Sequence, residues 1–220
     1  MSSKINPLIS SRKQPKQARS AVLVAAILQA AVQVLEKEGV ARFTTARVAE
    51  KAGVSIGSVY QYFPNKAAIL FRLQHDEWQQ TLTLLTGILG NNTVPPLARL
   101  RTLVQVFIRS ECEEAKLRQA LHDAAPLYRD APEAQAIGAQ GDMIYARFIA
   151  EVLPQAGPAR RRVASELLTT TLSAVGTRYS TQPHSDAEVR IFSDSIADML
   201  IAWLKEAQAN DGQPPRQCGG

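Results

Sequence analysis

From Gln17 onward, Val22, Ala25, Ala26, Leu28, Ala30, Val32 and Leu35 recur at three- and four-residue spacing as far as Glu38. That periodicity predicts an amphipathic helix, and Gly39 supplies its stop. Phe43 follows as an isolated apolar anchor. Thr44 or Thr45 is placed to cap a short helix over residues 46–52 with Val48 and Ala49 turned inward, and Gly53 ends it in a turn that favours glycine. Ser55 then stands where the next helix, running to about Tyr62, needs an N-cap. Phe63-Pro64-Asn65 breaks the chain, because proline disfavours helix in the residue before it. A long helix is expected from near Asn65 through Leu70, Leu73, Trp78, Leu82 and Leu85 to about Gly87. Residues 87–96, GILGNNTVPP, read as a linker. Further helices are expected over 97–114, 132–152, 158–179 and 186–208, with a short segment around 117–124 after the first of them. No sustained alternation and no hairpin dipeptide signals a strand, and no internal repeat is visible, so the expected class is all-α.

Composition adds limits. With 45% hydrophobic and 20% charged residues in 220, a sizeable core is within reach. No apolar run approaches the ~18 residues of a membrane span, since the longest, residues 21–34, is interrupted by Gln29 and Gln33. No membrane partner is therefore expected, and the N-terminus lacks the apolar block of a secretory signal. Cys112 and Cys218 are too far apart to suggest a disulfide framework, and no metal spacing or phosphate-binding loop occurs. A cytoplasmic protein without metal or cofactor is the expectation. The net charge of +5 is uneven. Residues 1–72 hold 11 Lys/Arg against 3 Asp/Glu, whereas the rest is net −3, so one end is suited to a polyanion. Five of those cations lie in residues 1–19, which also reads as a solvated basic tail.

Gly53-Val54-Ser55-Ile56-Gly57 is a literal G-x-S-x-G. A serine nucleophile in that motif needs a strand leading into the turn, and His75, His122 and His184 would have to supply its base. The residues before Gly53 read as a short amphipathic helix instead. Helix, glycine turn and second helix within a few positions is helix–turn–helix geometry, and it makes Ser55 a cap. The segment Ser55–Tyr62 spans ~12 Å, short enough for a ~12 Å major groove.

The stretch TTARVAEKAGVSIGSVYQYFPNKAAIL (44–70) resembles the DNA-binding domain of the TetR family of bacterial transcriptional regulators. The likeness rests on Phe43-Thr44-Thr45, Val48-Ala49, Ala52-Gly53-Val54-Ser55, Gly57, Tyr60, Tyr62-Phe63, Lys66 and Leu70. It covers about residues 20–70; the remaining chain matches only in being helical and of suitable length. Residues 1–16, polar with Pro7 and Pro15, read as a disordered arm, and the tail at 209–220 reads likewise. The resemblance implies a three-helix DNA-binding domain at 17–64 and a larger helical ligand-binding and dimerisation domain at 65–208. It makes residues 55–62 the recognition helix, with Ser55, Ile56, Gly57, Ser58, Tyr60, Gln61 and Tyr62 at or near DNA and Thr45 and Lys66 as backbone anchors. Gln61 is suited to adenine and the Tyr60 hydroxyl to a phosphate. Ile56 either meets a thymine methyl or packs, and Tyr62 is equally suited to the core.

The resemblance further implies a ligand-responsive regulator, by the family's usual mode a repressor, that binds a palindromic double-stranded DNA operator as a homodimer and responds to a small-molecule effector. Candidate pocket residues are Trp78, Phe107, Glu111, His122, Tyr128, Met143, Arg147, Phe148 and Thr171. Each also fits ordinary core or surface. Candidate dimer residues are Leu168, Leu172 and Val175 on the first terminal helix and Phe192, Ile196, Met199 and Trp203 on the second, with packing inside one subunit as the competing reading. Two other functions stay open: a helix–turn–helix regulator controlled by a protein partner, and a serine hydrolase acting through Ser55.

Overall fold

A computed structural model describes Ile9 and residues 18–209; the remainder of the basic arm and the tail from 210 lie outside the described residues. The described chain is helical without strands: α1 (Ala18–Arg42), α2 (Thr45–Ala52), α3 (Ile56–Tyr62), α4 (Lys66–Leu89), α5 (Pro96–Glu113), α6 (Ala115–Ala124), a 3₁₀ turn (Ala125–Leu127), α7 (Pro132–Val152), α8 (Pro158–Tyr179) and α9 (Asp186–Ala209). Most boundaries fall within a few residues of the periodicity. The end of α1 differs: helical residues resume beyond Gly39 as far as Arg42, but Gly39 itself is non-helical, with φ 69° and ψ 174°. The glycine thus kinks the chain where the sequence marks a stop.

The described residues form two compact units, one reaching to Thr81 and including Lys116–Gly138, the other built from Leu82–Ala115 and from Ala139 onward. Each unit has its own core. In the first, Val24, Ile27, Ala31, Val34 and Leu35 of α1 are buried with Phe43, Val48, Val59 and Ile69. In the second, Leu100, Leu103, Val104 and Ile108 of α5 are buried with Ile149, Leu168 and Leu200. These compact units do not coincide with the expected functional division at 64/65. α6 returns to the first core through Ala120, Leu121 and Ala124, and α4 contributes residues to both units.

One sequence expectation needs correcting. Ser20–Arg42 is long and apolar enough to cross a membrane, with a mean hydropathy of 1.5 over its best 18 residues. Gln29 and Gln33 interrupt the apolar letters without bringing charge. The stripe Val24, Ile27, Ala30, Ala31, Val34 and Leu35 is buried in the first core, which is what a core helix does with such a face.

Candidate DNA-reading surface

The surface is positioned by three short-range devices. Thr44, extended at φ −136°, caps α2 by accepting the Arg47 amide on its hydroxyl at 3.2 Å. Gly53 closes α2 with φ 67° and ψ 31°, and the amides of Gly53 and Val54 donate to the carbonyls of Glu50 and Ala49 at 3.1 and 3.0 Å. That pair of bonds is a Schellman turn, which requires a left-handed residue. Ser55 Oγ accepts the Ser58 amide at 3.0 Å and lies 2.8 Å from Ser58 Oγ. Ser55 is thus an N-cap of α3, and the segment leading into its turn is a helix and not a strand.

On α3, Val59 and Tyr62 are buried and Phe63 follows them into the first core. Ile56, Gly57, Tyr60 and Gln61 are exposed and share the opposite face. Ile56 keeps 45% of its surface open and Tyr60 39%, so an aliphatic and a phenolic side chain project together. Tyr60 Oη lies 3.2 Å from Thr45 Oγ1, tying the start of α2 to the outer face of α3. Sequence reading named both residues without seeing that they touch, because 15 positions separate them. Asn65 Oδ1 accepts the Ala68 amide at 2.9 Å and so caps α4, where Lys66 is the first, half-buried residue. Tyr62 retains 6% of its surface, so its ring is core; periodicity had placed it equally well on either side. Arg47 is committed to Glu38 and to the Arg42 carbonyl.

The arrangement offers hydroxyls, an amide and an apolar contact on one short helix, with a helix N-terminus and a lysine close by in sequence. Such groups suit base edges and phosphates.

Residues 27–73 match the family described as bacterial regulatory proteins, tetR family, and residues 95–207 match the Tetracyclin repressor-like C-terminal domain. The chain belongs to the TetR family. It is therefore similar to transcriptional regulators that bind DNA, and its helix–turn–helix is the family's DNA-binding element. Among relatives, the chain is 34% identical over 101 residues to the HTH-type transcriptional regulator TtgR of Pseudomonas putida, covering 44% of this chain and 48% of that protein. It is 28% identical over 191 residues to the HTH-type transcriptional repressor KstR of Rhodococcus jostii, covering 84% of this chain and 74% of that protein. Against several first relatives, then, the chain spans less than half of their length. A TetR-family regulatory protein from Rhodococcus RHA1 superposes with a TM-score of 0.65 over 83% of this chain and 96% of its own, at 17% identity. NalD of Pseudomonas aeruginosa, a repressor of a multidrug efflux pump, gives 0.61 over 85% and 96% at 23% identity. At those identities the superpositions speak for the fold.

The other sequence-nominated residues of this TetR-family chain divide between the units. Trp78, His122 and Tyr128 belong to the first. Tyr128 is buried and its hydroxyl donates to the Leu121 carbonyl at 2.9 Å, with Gln74 Oε1 at 3.2 Å; burial, and then Glu77, push its pKa up. Trp78 packs against that core, and His122 is exposed. In the second unit, Phe107 and buried Glu111 crowd Gly176, Thr171 is half-buried, and Met143 is 71% exposed. Arg147 and Phe148 come together on one recess of about 170 Å³. Of the dimer candidates, Leu168 and Leu172 each keep only 1% of their surface and face the protomer's own core. Val175, Phe192, Ile196 and Trp203 are half-buried on the same core, and Met199 is 50% exposed. On the last two helices, the large apolar side chains left open are Val163 and Leu167 of α8 and Ile191 and Met199 of α9. Spacing reveals a stripe without saying which neighbour it faces; of the nominated dimer residues, Met199 is among these open ones.

Proposed function

We propose that this protein is a cytoplasmic, ligand-responsive repressor that binds a palindromic operator as a homodimer and releases it when a small molecule occupies the C-terminal helical domain. The observation that carries the reading is the exposed face of α3, Ile56, Gly57, Tyr60 and Gln61, held by the Ser55 cap and the Thr45–Tyr60 contact. Ser55, Ser58, Thr45 and Lys66 supply backbone contacts, and Gln61 and Ile56 supply base contacts. Repression is supported by a sequence relative that bears that description, KstR of Rhodococcus jostii. Residues 17–64 serve as the reading domain and residues 65–208 as the ligand-binding and dimerising domain, with α4 common to the two compact units and so the element that carries the change. A coupling of ~1–3 kcal/mol between effector and operator is enough for such a switch.

The test is fluorescence anisotropy of the full chain on DNA from upstream of its own gene. We expect tight, salt-sensitive, sequence-selective binding that falls by at least about tenfold in Tyr60→Ala/Gln61→Ala, consistent with ~1–3 kcal/mol for a base contact. Wild-type affinity in that variant sinks the assigned surface.

A further inference from the structure

We propose that the recess between the end of α4 and α7 is the effector's anchoring subsite and that its ligand is a small amphipathic carboxylate. The inference rests on the ligand-responsive reading above and names the chemistry of that site.

The recess, about 170 Å³, has apolar walls in Leu89, Ile144 and Phe148 and charged groups in Arg147 and Glu151. A second cation stands behind this wall. Arg99 is only 2% exposed, yet it carries a guanidinium into the core of the second unit. Its partners are recess residues: it donates to the Leu89 carbonyl and to Glu151 Oε1, and its Cζ lies 5.9 Å from the centre of the Phe148 ring. Its Nε–H is buried and has no acceptor. The recess and its wall therefore hold two guanidiniums and one carboxylate, and that carboxylate is paired with Arg99. Arg147 is exposed and forms no ion pair among the described residues, and the Glu151 side chain is 43% exposed, so the carboxylate facing Arg99 is free to swing toward solvent.

A site with an excess cation and apolar walls selects an anion with an apolar body. A planar carboxylate matches the fork that guanidinium presents. The volume admits a short aliphatic chain or a single ring. The ligand's carboxylate pairs with Arg147 at the rim and takes the place of Glu151 against Arg99. Arg99 is also the donor that holds the last carbonyl of α4, an end that favours cations. An anion that redirects this guanidinium loosens the end of the helix that leads from the reading domain, which gives the ligand a route to the operator.

The experiment is isothermal titration of the full-length protein with butanoate, hexanoate, octanoate and benzoate, alongside hexanamide, benzyl alcohol and inorganic phosphate. We expect hexanoate or benzoate to bind at least about tenfold more tightly than the neutral isosteres and than phosphate. Arg147→Gln, an exposed position, weakens that binding about tenfold, whereas Glu151→Gln, which keeps an acceptor for Arg99 but removes the competing charge, strengthens it about threefold. Equal binding of charged and neutral probes, phosphate binding as well as the carboxylates, or an unchanged affinity in Arg147→Gln overturns the proposal. Operator affinity measured on the same samples separates the two readings. Carboxylate binding with the expected variant pattern but no change in operator affinity leaves the subsite standing and removes the ligand-responsive reading. Release of the operator by other small molecules, with no carboxylate bound, does the reverse.

Discussion

At the scale of single residues, the reading surface depends on two backbone decisions. Gly53 sits at φ 67°, a region that costs an ordinary residue ~1 kcal/mol, although a Cβ there would meet nothing within 4 Å. The penalty of Gly53→Ala is then purely conformational. We expect a loss of about 1 kcal/mol in denaturant unfolding, and a similar ~1 kcal/mol loss for Ser55→Ala, which removes the cap. A Gly53→Asn variant, whose side chain tolerates the left-handed region, recovers part of it; an alanine variant as stable as wild type contradicts the turn. Both residues were legible in the sequence, because glycine followed two positions later by serine is local chemistry. A second residue-scale effect was not legible. Burial pushes the Tyr145 phenol up to about 12, above the ~10 of an unfolded chain. The folded state therefore holds this proton longer than the unfolded state does. Its contribution is fully present below pH ~10 and is lost between ~10 and ~12, on the order of 2 kcal/mol. Unfolding midpoints followed across that range should fall in wild type and fall less in Tyr145→Phe. Tyr128, shifted in the same direction by burial, keeps the slope from vanishing.

At the scale of elements, helix existence follows from periodicity and caps, and helix contacts do not. The spans of α7 and α8 are recoverable from prolines at 132 and 158 and from the apolar residues after them. Gly176, by contrast, looks like any helical glycine until the crossing of α5 over α8 is seen. A Cβ there would lie 2.8 Å from Phe107 Cε1 and 2.9 Å from Glu111 Cγ, closer than side chains tolerate. Gly176→Ala gains ~1 kcal/mol of helix propensity and loses ~1–3 kcal/mol to overpacking, so the net sign follows the contact. We expect net destabilisation, larger for Gly176→Val, and partial rescue of the alanine variant by Phe107→Leu, measured as a double-mutant cycle. Additive effects would show that the two helices do not meet at this glycine. The same limit explains the pocket and dimer nominations. Arg99 was missed because an arginine beside Leu100 reads as the polar edge of α5, and only the fold puts it 2% exposed against Glu151.

At the scale of the molecule, the question is what covers the apolar side chains that the protomer leaves in water. Val163 and Leu167 lie one turn apart on α8, and Ile191 and Met199 lie two turns apart on α9, with exposures of 57%, 41%, 68% and 50%. Leu168 and Leu172, nominated from spacing, already serve the core, whereas the open rows, with nominated Met199 among them, are available to a second copy of the chain. A two-fold axis would bring each row against its copy, and two reading helices would then meet half-sites about one DNA turn apart. This separates two classes of variant that sequence alone would merge. Leu168→Glu places a charge in the second core and should unfold the protein. Leu167→Glu/Met199→Glu should leave helicity and unfolding cooperativity intact while sedimentation velocity reports a monomer. Halving the number of reading heads also halves the phosphate contacts. The logarithmic salt dependence of operator binding should fall to about half of wild type, and affinity by at least about a hundredfold. If the double variant stays dimeric, the interface lies elsewhere on the chain. If it becomes monomeric and binds as before with an unchanged salt slope, one reading head suffices, and dimerisation has some purpose other than the palindrome.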